Sequence, residues 1–116
     1  MADYFELRHE DSSVYPVGTL AIDIESGVFE FCLNKEYDGE VPWFVRFERD
    51  AVLPMSEMVR MWVMERAPES HNEFIDSLIE KAGLDEYDAY GFFKHNKGHF
   101  ITDKFYVVER EKPECS

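Results

Sequence analysis

The chain has 116 residues, enough for one hydrophobic core and too few for two. Hydrophobic residues make up 45% and aromatics 16%, which excludes a disordered chain, because such chains lack the large side chains that bury area. With 12 Lys and Arg against 25 Asp and Glu, the formal net charge is −13, which opposes contact with phosphate backbones and anionic membranes and favours a basic partner or a cation.

The first residues, Met1-Ala2-Asp3-Tyr4-Phe5-Glu6, carry no basic stretch followed by an apolar run, so no signal peptide is expected. No stretch approaches the ~20 apolar residues of a membrane helix. The expected location is therefore the cytoplasm, with both cysteines reduced. Cys32 falls in a strand pattern and is expected in the core, and Cys115 is penultimate.

Tyr4 to His9 alternates weakly and predicts a first strand, closed by a turn at Asp11-Ser12-Ser13. Tyr15 to Ile24 places Leu20, Ile22 and Ile24 at period two. After the turn Glu25-Ser26-Gly27, Val28 to Asn34 places Phe29, Phe31 and Leu33 on one face and Glu30 on the other. This is the clearest hairpin. Tyr37-Asp38-Gly39-Glu40 reads as a second tight turn, because Asp-Gly suits positive φ angles. Trp43, Val45 and Phe47 then alternate as a further strand, which completes an N-terminal antiparallel meander.

The period changes after Pro54. Met55, Met58, Val59, Trp62 and Val63 define a helical stripe that Met61 and Met64 widen. A helix this apolar is expected to be buried on more than one side. Pro68 ends it. Ser70-His71-Asn72-Glu73 matches a capping box, and Phe74, Ile75, Leu78, Ile79 and Ala82 form the apolar stripe of a second helix closed by Gly83. Asp85 can cap a short third helix through about Lys94. Asn96-Lys97-Gly98 turns the chain, Phe100 to Val108 returns to a strand, and a charged tail, expected to be mobile, begins at about residue 109. The fold class expected is α+β: one domain over residues 1–116, with an antiparallel sheet built from the meander and a C-terminal strand, and two or three helices on one face.

Chemistry-bearing motifs are scarce. No phosphate-binding glycine loop occurs, nor C-x-x-C or H-E-x-x-H, so neither a nucleotide nor a metal cofactor is expected. His95 and His99 are four apart, but Gly98 lies between them in a turn. Cys32 lacks a neighbouring helix N-terminus that would activate it, so no catalytic residue is assigned. Tyr87, Tyr90, Phe92 and Phe93 crowd one short helix, and Met55, Met58, Met61 and Met64 recur every three residues. Packing explains both, although either could serve an interface.

One pattern resists a bland explanation. Glu69, Glu73, Asp76 and Glu80 are spaced to share one face of the second helix, and none has a Lys or Arg three or four residues on. Pairs 69/73 and 76/80 are like charges at i, i+4, each costing about 0.2–0.5 kcal/mol. Asp85, Glu86 and Asp88 prolong the run, and Glu36, Asp38 and Glu40 form a second acidic patch. From 69 to 80 is about 16 Å at the helical rise, a span over which a DNA strand carries about five phosphates. The competing explanation is neutralisation by Arg46, Arg49, Arg60 or Arg66.

The reading that follows is a non-catalytic acidic protein-binding module. In its sharpest form it is an inhibitor or nucleic-acid mimic covering a basic surface of a nucleic-acid-handling protein. In size and charge the chain is similar to small acidic inhibitors of restriction and CRISPR nucleases, without a shared motif. Two alternatives stand beside it. One is a small enzyme or ligand-binding domain using Cys32, His95, His99, Tyr87 and Tyr90 in a pocket between sheet and helices. The other is a homo-oligomeric subunit joined through Trp43 or the methionine helix.

Overall fold

A computed structural model describes residues 2–11, 14–47 and 53–111. The expected Ser12-Ser13 turn, Arg49, Cys115 and the part of the expected tail beyond residue 111 lie outside the described residues, while Glu109 and Arg110, expected in that tail, belong to the last strand. The elements run β1 Asp3–His9, β2 Gly18–Asp23, β3 Val28–Leu33, α1 Trp43–Arg46, α2 Met55–Met64, α3 Ile75–Lys81, α4 Ala89–His95 and β4 Phe105–Arg110. The strands form one antiparallel sheet in the order β3-β2-β1-β4. The meander supplies β1 to β3, and the last strand returns beside the first, so the α+β expectation holds.

Alternation decides which face of the sheet is covered. Phe5 and Leu7 of β1, Leu20 and Ile22 of β2, Phe29 of β3, and Phe105 and Val107 of β4 all enter one hydrophobic cluster with residues from the helices. Their register aligns them: Phe5 pairs with Leu20, and Leu20 with Phe31. Gly18 leaves no room for a side chain, since a Cβ there would collide with the Cys32 carbonyl oxygen and the Phe31 ring of β3. Trp62 of α2 is central, with edge-on contacts to Phe44, Phe93 and Phe105 at centroid distances of 5.9, 6.5 and 6.2 Å. The predicted methionine helix thus does pack in the core, with Met58 buried and Met61 exposed.

Four local expectations are corrected. Trp43 to Phe47 is not a strand. The Pro42 carbonyl accepts the Val45 N–H at 3.0 Å and the Trp43 carbonyl the Phe47 N–H at 3.1 Å, so the chain turns into α1, which sends Phe44 into the core and leaves Phe47 exposed. The Asp38-Gly39 pair makes no hairpin, because no strand follows it. Tyr37 is buried there and donates to the Glu40 carbonyl at 2.5 Å. The capping box does not form either. Asn72 Oδ1 accepts the Phe74 N–H at 2.8 Å, and the helix begins only at Ile75, because this Asx turn supplies the local bond first. The third helix likewise starts later than expected, with Asp88 rather than Asp85 at the N-cap position.

Arg66 anchors the stretch that delays β4 until Phe105. It follows the end of α2, and its guanidinium is fully buried. It stacks 4.1 Å from the Trp62 ring, donates to the carbonyls of Gly98 and Phe105 at 2.5 and 3.3 Å, and engages both Asp103 oxygens. Every polar face of this buried cation is thereby satisfied.

Candidate functional site

The acidic residues do not sit on one helix. Asp76 and Glu80 lie on the exposed side of α3, one turn apart, while Glu69 and Glu73 occupy the turns before it. Glu69 is paired with His71 at 2.8 Å. Asp85, Glu86 and Asp88 follow in the loop between α3 and α4, where they line a shallow depression of about 510 Å³ together with Gly83, Leu84 and Tyr87. All seven carboxylates are on exposed residues. Apart from Glu69, none of them makes an ion pair among the described residues.

The described arginines nominated to neutralise the stripe, Arg46, Arg60 and Arg66, are engaged elsewhere or idle. Arg60 pairs with Glu57 on its own helix, and Arg66 is buried on Asp103. Arg46 makes no ion pair among the described residues. Lys81, the one cation on α3, follows Glu80 directly, and adjacent residues on a helix do not face each other.

Beneath the charge, α3 is amphipathic and poorly covered. Ile75, Leu78 and Ile79 are only half-buried, Phe74 is 64% exposed, and none of the four belongs to the core cluster. No residue of α3 is buried. The helix therefore presents both an acidic side and an apolar rim.

The second acidic patch is divided. Glu36 and Asp38 are exposed, but the Glu40 carboxylate faces His9 Nε2 at 3.2 Å. His9 escaped the sequence reading, although it lies on the apolar parity of β1, which is the signal that could have found it. It is 6% exposed and meets Phe105 edge-on. The Asp11 N–H donates to its Nδ1 at 3.1 Å, which leaves the proton of the neutral ring on Nε2 for Glu40. With both nitrogens occupied, His9 braces the sheet and holds no lone pair for a reacting group.

The polar residues nominated for a pocket do not converge. Cys32 is on β3 at one edge of the sheet, exposed and disulfide-bonded, which corrects the expectation of a buried free thiol there. His99 stacks on Tyr106 of β4, at the opposite edge. His95 is exposed on α4, the Tyr87 hydroxyl donates to the Pro68 carbonyl, and the Tyr90 hydroxyl donates to Asp3 at 2.5 Å. Phe92, Phe93 and Tyr90 are buried, so packing accounts for most of that aromatic group. Among the described residues no group of His, Cys, Asp or Glu is placed to hold a metal, and no helix is long and apolar enough to cross a membrane. No family model, curated protein or solved structure matches the chain.

Proposed function

We propose that this protein is a non-catalytic docking module that covers a basic surface of a nucleic-acid-handling protein, through α3 and the loop that follows it. The observation that carries the reading is the state of α3. It buries none of its residues, and the carboxylates of Asp76 and Glu80 have no counter-ion among the described residues. A helix contributing so little to its own core is available to another.

Exposed carboxylates give long-range attraction and a fast, salt-sensitive encounter, and the apolar rim around Phe74 gives the contact something to bury once water is expelled. Glu73, Asp85, Glu86 and Asp88 extend the negative field on either side. Partner-binding roles thus fall to Glu69, Glu73, Asp76 and Glu80, with Asp85, Glu86 and Asp88 flanking them, while Glu36 and Asp38 stand apart. The test replaces the first four with their amides and compares capture of basic proteins by the two forms at low and high salt. Capture unaffected by the substitutions removes the proposal.

A further inference from the structure

A second candidate site lies at the β4 edge of the sheet. A cavity of about 460 Å³ opens between the last turn of α4 and β4, within the size range of small-molecule pockets. Phe5, Val107 and Val108 give it apolar lining, and Lys94, Lys97 and His99 stand around it. The His99 ring lies parallel to Tyr106, with centroids 5.3 Å apart, which forms a flat aromatic wall. Of the charged groups around the cavity, Lys94 and Lys97 are cationic and Glu109 is acidic, with Asp3 3.9 Å from Lys94 and Glu10 3.9 Å from His99. Lys94 is thus matched locally, and Lys97 is the ammonium left to meet a ligand.

Lys97 is the residue that local folding does not explain. It occupies the position after the C-cap of α4, where Gly98 N–H reaches the Phe93 carbonyl and Lys97 N–H reaches Lys94, the bonding pattern of a Schellman motif. That position takes a left-handed backbone and ordinarily glycine. Lys97 adopts φ 54° and is the one non-glycine residue with positive φ among the described residues. Its carbonyl accepts the Val107 N–H at 2.8 Å, which fixes its backbone against β4 beside the cavity. It makes no ion pair among the described residues. Lys94 is the weaker partner, 3.9 Å from Asp3 and over the Tyr90 ring. A strained lysine at the mouth of an apolar cavity is accounted for if its ammonium is used.

The geometry points to a binding site for a small organic monoanion, a carboxylate with an apolar or aromatic body, its charge on Lys97 and Lys94 and its body on Phe5, Val107 and Val108. Glu109, the one acid in the lining, opposes a second negative charge on the ligand. This site is independent of the acidic docking face.

The probe is 4-phenylbutyrate, with neutral 4-phenylbutanol as its control, titrated into the full chain and followed by amide NMR shifts. The titration runs to about 20 mM, roughly tenfold above the Kd that a ligand of this size reaches at ordinary ligand efficiency. Saturable shifts confined to residues 94–99 and 106–109, stronger for the carboxylate, are expected. Lys97→Gly is the decisive variant, because glycine suits this backbone and the protein should melt at the same temperature or higher. It should nevertheless bind the carboxylate roughly tenfold more weakly, the loss of one charge-assisted contact. Equal binding of the alcohol, unchanged binding by the folded Lys97→Gly protein, or no saturable shift at those residues overturns the assignment.

Discussion

Arg66 shows how much of the architecture one side chain can hold. Its guanidinium spans the end of α2, the turn after α4 and the start of β4, stacked on Trp62. Arg66→Ala should cost about 3–5 kcal/mol, because it strands Asp103 and two carbonyls as well as removing the ring contact, and chemical denaturation measures it. Tyr90 makes a pH prediction. Burial above all, then the hydrogen bond and charge of Asp3, hold its hydroxyl well above the ordinary value of 10.0. A pKa raised on folding gives stability that is whole below pH 10 and is lost as pH rises beyond it. Tyr90→Phe should therefore flatten the alkaline loss of stability, leaving a remainder from Tyr37, which burial and Glu40 shift the same way. Cys32 supplies a third test at this scale. Being disulfide-bonded, it should resist alkylation in the folded, unreduced protein and react after reduction, as peptide mass spectrometry will show.

Elements differ in how much of themselves they commit to the core. Leu20 of β2 is fully buried, and Leu20→Ala should cost about 2–5 kcal/mol, whereas Leu78→Ala on half-buried α3 should cost less than about 1.5. Glu80→Gln should stabilise the protein by about 0.2–0.5 kcal/mol, since it relieves the like charge of Asp76 one turn away. The strands and α2 were legible in the sequence, because period-two and helical stripes there coincide with what the core needs: Leu20 and Ile22 inward, Met58, Val59, Trp62 and Val63 against them. Trp43 to Phe47 was not, since the run Trp43-Phe44-Val45 carries no period that would separate a strand from a helix. Glu69 to Glu80 was half legible. The acids are exposed as expected, but Asn72 diverts the backbone and breaks the single helical face into turns and helix. The parity of β1 could have shown that His9 faces inward, but neither its partner Glu40 nor the lysine-lined cavity could be read in advance, because each joins residues distant in sequence.

At the scale of the whole molecule, half of the ten described lysines and arginines are spent internally: Arg8 and Arg110 on Glu6, Arg60 on Glu57, Arg66 on Asp103, Lys104 on Asp11. Among the described charges left without ion pairs are the exposed carboxylates of Asp76 and Glu80 on α3 and of the loop that follows, and Lys97 at the cavity beside β4. Such an arrangement costs self-repulsion that folding alone does not require, which is why a partner is the economical explanation. The measurement that tests this most directly is capture from source-cell lysate by two baits, the native chain and the form carrying Glu69→Gln, Glu73→Gln, Asp76→Asn and Glu80→Gln. Both baits must first be shown equally folded. The account predicts that the native bait alone retains a nucleic-acid-binding protein at low salt, and that high salt or competing DNA releases it. Retention of the same protein by both baits, or retention that salt and DNA leave unchanged, would contradict it.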